Sequence, residues 1–199
     1  AISVTNPNNV AGTNFTWAVQ TNANVNGDVA GSGNSISQVL TSADGVSTGT
    51  VIYRVTPSAN GCAGNTLDVT VTVTPVPVIT NNPADFSIQI CSDQALNFLP
   101  VANIGAATFA WTSSISGPIS AASVTATGTG AITDTPVNTG NVAGTVTYRI
   151  TPEHNGCNGS PVDVIVTVKP LPSASGSDFT ICSGQNAFIA IDPLPKNVA

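Results

Sequence analysis

The chain has 199 residues, only 7% of them charged, and a formal net charge of −6; Arg54, Arg149, Lys169 and Lys196 are its only cations. Phosphate recognition needs clustered cations, so nucleic acid and anionic membrane surfaces are excluded as partner classes. No apolar run is long enough to insert in a membrane as a spanning helix, and the 41% hydrophobic content argues against disorder.

In chain order, Phe15-Thr16-Trp17-Ala18-Val19 reads as a strand with an inward Trp. Residues 24–50, rich in Gly, Ser, Thr and Asn, should hold two or three short strands and their loops. In Thr50–Thr56, Val51, Tyr53 and Val55 share one face while Ile52, Arg54 and Thr56 share the other. Leu67, Val69, Val71 and Val73 alternate in the same way with Asp68, Thr70, Thr72 and Thr74. Period-two patterning of this length predicts two strands, each with one face in a core. The turn formers of 57–65 join them into a hairpin, and a turn centred near Gly61 sets Arg54 opposite Asp68 as a cross-strand ion pair on the outer face.

The same elements then return. Tyr53-Arg54-Val55-Thr56-Pro57 and Asn60-Gly61-Cys62 recur as Tyr148-Arg149-Ile150-Thr151-Pro152 and Asn155-Gly156-Cys157, a period of about 95 residues. Trp17 recurs as Trp111 in Phe109-Ala110-Trp111, and Asp68 recurs as Asp163, which predicts a second ion pair with Arg149. Residues 113–145 correspond to 24–50. Ile90-Cys91-Ser92-Asp93-Gln94 returns as Ile181-Cys182-Ser183-Gly184-Gln185, and each is followed by a candidate strand, 95–99 and 187–191. No helix signal is evident. Six or seven short strands per repeat predict an all-β chain of tandem β-sandwiches. Pro75-Val76-Pro77 and Pro170-Leu171-Pro172 act as semi-rigid connections.

These motifs, in this order, resemble the PKD-like and immunoglobulin-like tandem repeats of large Bacteroidetes cell-surface adhesins, including the gliding-motility type. The matching features are Ile-Cys-Ser-Gly-Gln at the repeat start, Phe-x-Trp, Gly-Thr-Val-x-Tyr-Arg-x-Thr-Pro, Asn-Gly-Cys, and a Val/Thr strand ending Pro-x-Pro. The Trp-x-Phe-Gly-Asp-Gly stretch of better-known PKD sequences has no counterpart. The resemblance implies a secreted, extracellular stalk with its neighbouring repeats as partners.

On this frame, residues 1–76 form one sandwich without its opening strand, 77–171 a complete one, and 172–199 the opening strands of a third. No leader is visible at Ala1, so a secreted protein would be represented here in mature or excised form. An out-of-frame cut is explained by excerpting from a longer array, or by the tail of one molecule completing the first repeat of another. Cys62, Cys91, Cys157 and Cys182 read as structural disulfide cysteines. Two pairings remain open: Cys91 with Cys157 inside one repeat, or the opening Cys of one repeat with the hairpin Cys of the next. In an immunoglobulin-like topology the first pair would sit at opposite poles, too far apart for a bond.

Candidate chemistry is sparse. His154, the single histidine, lies in a turn that repeat one builds from Ser58-Ala59, so a triad or histidine metal site is not expected. No cofactor is expected, although Asp85, Asp93, Asp178 and Asp192 near the repeat junctions would be the ligands of any junctional calcium. Three functions compete: a passive stalk without enzymatic activity, a binding module using loops 20–48 or 113–145, and an accessory domain of a secreted hydrolase. Neither loop contains Phe, Tyr or Trp, which counts against a sugar-stacking surface.

Overall fold

The computed structural model describes residues 2–174, 176 and 178–187. Residues 188–199 lie outside the described residues, and with them Asp192, all of the candidate strand 187–191 but Ala187, and the latter part of the stretch 172–199 assigned to a third repeat.

The chain is all-β and builds two sandwiches in sequence. The first contains β1 (Ile2–Ser3), β2 (Asn14–Ala23), β3 (Val25–Asn26), β4 (Gly31–Ser32), β5 (Ser35–Ile36), β6 (Thr41–Ser42), β7 (Gly49–Ala59), β8 (Cys62–Ala63) and β9 (Leu67–Val73). Its main sheet pairs β4 with β2, β2 with β7, and β7 with both β8 and β9. The facing layer consists of the two-residue pairs β1–β5 and β3–β6. The second contains β10 (Ser87–Cys91), β11 (Thr108–Ser116), β12 (Thr127–Thr129), β13 (Gly144–His154), β14 (Cys157–Asn158) and β15 (Val162–Lys169). Its sheet runs β10-β15-β13-β11-β12, and β10 lies parallel to β15 while the other pairs are antiparallel. The facing layer is held by isolated bridges, Ile79 to Ala102, Phe98 to Ile132, and Ile119 to Asn138.

Each sandwich owns its core. Phe15, Trp17, Val51, Tyr53 and Val55 from the first sheet pack on Val25 and Ile36. In the second, Trp111, Val146, Tyr148 and Ile150, with Val164, Val166 and Val168, pack on Leu96, Phe98, Ile119 and Ile132. The alternation in 50–56 resolves as expected: Val51, Tyr53 and Val55 are essentially inaccessible, and Arg54 points out.

Three features depart from the sequence reading. Two short 3₁₀ turns occur, at Pro83–Phe86 and Ala121–Ser123. The first starts where the Asn82 side chain accepts the Ala84 N–H and proline takes an early position that needs no N–H donor. Residues 95–99 form no continuous strand; Leu96 and Phe98 instead make three backbone hydrogen bonds to Asp134 and Ile132. Finally, the apolar face of β9 is not buried. Val69, Val71 and Val73 are half-exposed and Leu67 is 59% exposed, whereas Val164, Val166 and Val168 in β15 are sealed. The reason is topological: β15 is flanked by β13 and β10, but β9 pairs with β7 alone among the described residues.

Candidate functional site

Both hairpins turn on Asn-Gly. Asn60 and Gly61 take φ of 50° and 81°, and Asn155 and Gly156 take 49° and 81°. Positive φ at both central residues is the two-residue turn whose twist matches the flanking strands, and Asn-Gly meets it with least strain. The turn pairs Ala59 with Cys62 and His154 with Cys157; beyond these short pairs the register shifts by one residue, and in the longer strands Arg54 stands opposite Asp68 and Arg149 opposite Asp163. The Arg54 guanidinium donates from Nε and an Nη to the two Asp68 oxygens, both at 2.7 Å. This fork holds the Asp68 carboxyl below its usual range and raises the already high value of Arg54. The second pair is looser, with one Arg149 nitrogen 3.2 and 3.3 Å from the two Asp163 oxygens. All four side chains are solvent-exposed, so they specify pairing more than they stabilise it.

The four cysteines are free thiols. Cys91 lies opposite Lys169, at the end of the sheet where β13 begins, while Cys157 lies opposite His154, where β13 ends. Ten residues of strand separate these ends by about 33 Å. A disulfide needs Cα atoms about 4.4–6.8 Å apart, so the geometry rules out a Cys91–Cys157 bond within one repeat. The Cys91 turn is repeated at Cys182: the N–H of Gln94 reaches the Cys91 carbonyl at 3.2 Å, and that of Gln185 reaches the Cys182 carbonyl at 3.1 Å. The third residue of each turn has positive φ, 66° at Asp93 and 92° at Gly184.

Sequence reasoning missed several repeated contacts. Gly31 and Gly128 each lie against the ring of the repeat's Trp: a Cβ there would come within 2.6 Å of Trp17 and 2.2 Å of Trp111. The indole N–H of Trp17 donates to the Val29 carbonyl at 3.1 Å, while that of Trp111 is buried without a partner. Tyr53 donates its hydroxyl to Gln38, and Tyr148 donates to Asp134 at 2.7 Å. Burial comes first, and Asp28 or Asp134 second, in pushing both phenols above their usual value.

A second unanticipated feature is the loop 42–47. Asp44 accepts from the backbone of Ser47 and Val46, both at 2.9 Å, and from the Asn24 amide at 3.0 Å, and these bonds hold its carboxyl well below the normal range. The Gly45 carbonyl of this loop accepts from the Asn103 side chain of the second sandwich at 3.1 Å. The Ser-x-Asp-Gly string marks this turn in the sequence, but nothing there shows which residue it meets.

Residues with chemical potential stay dispersed. His154 is in the exposed end of its hairpin, 3.1 Å from the Asn155 amide. Asp85 sits in the 3₁₀ turn, Asp93 in the Cys91 turn and Asp178 in the exposed tail. Among the described residues no three His, Cys, Asp or Glu side chains are grouped to hold a metal ion. A cleft of about 580 Å³ opens in the first sandwich, walled by Val4, Phe15, Val55, Pro57 and Leu67. It lies alongside the hairpin β7–β9 and is continuous in sequence with the exposed face of β9.

The model of one protein family, the PKD-like domain, matches residues 1–77 and again 88–172. No curated protein matches the chain.

Proposed function

The chain belongs to the PKD-like domain family, and from that premise we propose that it is a non-catalytic structural segment of an extracellular protein. Its role is that of a stiff stalk in a bacterial cell-surface adhesin or filament of the gliding-motility kind. The observation that carries this reading is what the two units hold in common. The Asn-Gly turn, the Arg–Asp pair, the Gly-on-Trp contact and the buried Tyr on the longest strand occur in both. Every repeated feature serves packing or register, and none is a reactive constellation. A stalk repeats its fold; a recognition site diverges. Within the described residues no helix is long and apolar enough to cross a membrane.

The hydrogen bond between Gly45 and Asn103, with the proline-flanked connection, favours transmission of load along the array rather than free pivoting. Electron microscopy of the native particle tests the reading. A rod that shortens by about 35–40 Å when one repeat is excised is expected, since an eleven-residue strand spans that length. A compact particle whose dimensions ignore repeat number would contradict it.

A further inference from the structure

We propose that Asn155 is a site of self-catalysed modification: the turn Glu153-His154-Asn155-Gly156 converts its own asparagine, through a cyclic imide, to aspartate and isoaspartate. The chain has four Asn-Gly pairs, Asn26-Gly27, Asn60-Gly61, Asn155-Gly156 and Asn158-Gly159. In such a pair the glycine nitrogen can attack the preceding side-chain amide, because glycine has no Cβ to hinder the approach. Proton transfer then limits the reaction. The attacking nitrogen must lose a proton, and the departing amide nitrogen must gain one.

The second hairpin supplies a group for each transfer. The Glu153 carboxylate accepts the Gly156 N–H, the nitrogen that attacks. Its other oxygen accepts the Thr108 hydroxyl at 3.1 Å, and Thr108 is the cross-strand partner of Glu153, so β11 holds the carboxylate in place. His154 Nε2 stands 3.1 Å from the Asn155 amide nitrogen, the group that leaves. Asn155 and Gly156 are exposed, and a Cβ built on Gly156 would meet nothing within 4 Å, so the imide has room to form and water can reach it.

The steps balance with water as the only co-reactant. The Gly156 nitrogen bonds to Cγ of Asn155 as its proton passes to Glu153. The Cγ–Nδ2 bond breaks, and Nδ2 leaves as ammonia with a proton from the His154 imidazolium. Water then opens the imide at either carbonyl, and the proton on Glu153 returns to His154 through solvent.

The same molecule contains a control. Asn60 and Gly61 form an equivalent turn, with φ of 50° and 81° against 49° and 81°, but Ser58 and Ala59 stand where Glu153 and His154 stand. At Asn158-Gly159 the glycine N–H is committed to the Pro152 carbonyl at 2.8 Å, which cannot take its proton. The product adds a negative charge at the tip of the hairpin and, as isoaspartate, an extra methylene in its backbone. None of this depends on a stalk role.

Incubation of the full chain at neutral pH, followed by peptide mapping with mass spectrometry, tests the proposal. Asn155 should convert about tenfold or more faster than Asn60. Glu153→Gln, which keeps the shape but cannot take the proton, should remove most of that lead. Glu153→Ser/His154→Ala, which copies the turn of the first sandwich, should remove all of it. In the urea-unfolded chain the lead should vanish, because the contacts that align the two groups are gone. Equal rates at Asn155 and Asn60 in the folded chain, a lead untouched by Glu153→Gln, or one that persists in urea would each overturn the proposal.

Discussion

At the residue scale, the two sandwiches are held in shape by small, repeated decisions. Gly128 is one: a methyl group there would stand 2.2 Å from the Trp111 ring, too close for any relaxation of a rigid indole inside a packed core. Gly128→Ala should destabilise the protein by about 1–3 kcal/mol, read as a lower denaturation midpoint in urea. Nothing in the local string Thr-Gly-Thr announces this role, because the contact is made across strands. The tyrosines are a second case. Both of the chain's Tyr residues are fully buried and have raised folded-state values. A phenol raised above its unfolded value of about 10 lends stability that is intact below that pH and is lost as pH climbs beyond it. Ultraviolet titration of the folded protein should therefore show the tyrosinate signal displaced above the free phenol's value of about 10. A gradual tyrosinate signal centred near pH 10 in folded protein would contradict the buried hydroxyls.

At the scale of the element, the long strands were legible and the facing layers were not. Strict alternation in Thr50–Thr56 and Leu67–Thr74 marks faces, and Asn-Gly marks the reversal between them, while the pairing of Arg54 with Asp68 includes a one-residue shift after the turn. The facing layer is built from two-residue pairs and single bridges, too short for any periodicity to accumulate. Leu96 and Phe98 enter the core from such a bridge, so their burial follows from the partner Ile132 rather than from a strand pattern. The alternation also overstates β9, since it shows which face is apolar but not whether another element covers it. That difference is measurable. Val166→Ala should cost about 2 kcal/mol, as in a sealed core, and Val71→Ala clearly less, because its side chain is already partly in water. Equal costs, measured by chemical denaturation of the two variants, would mean that both strands are covered alike.

At the scale of the whole molecule, the period of the sequence was the decisive signal. It marks the unit of folding before any strand is placed, and the two separate cores have the residues that period assigns to them. What the period could not show is how neighbouring units touch: the Gly45–Asn103 bond joins loops whose sequences carry no mark of each other. Cysteine pairing was legible only as a pair of alternatives, and the opposite placement of Cys91 and Cys157 on β13's two ends removes one of them. The account depends on two sandwiches that fold and resist load as separate bodies in series. Pulling single chains from their two ends measures this directly. Two successive unfolding events are expected, one releasing about 23 nm from the shorter first unit and one about 30 nm from the second, each the contour length of the unit less its folded span. A single event releasing the sum of the two lengths would mean one shared core, and would contradict the account.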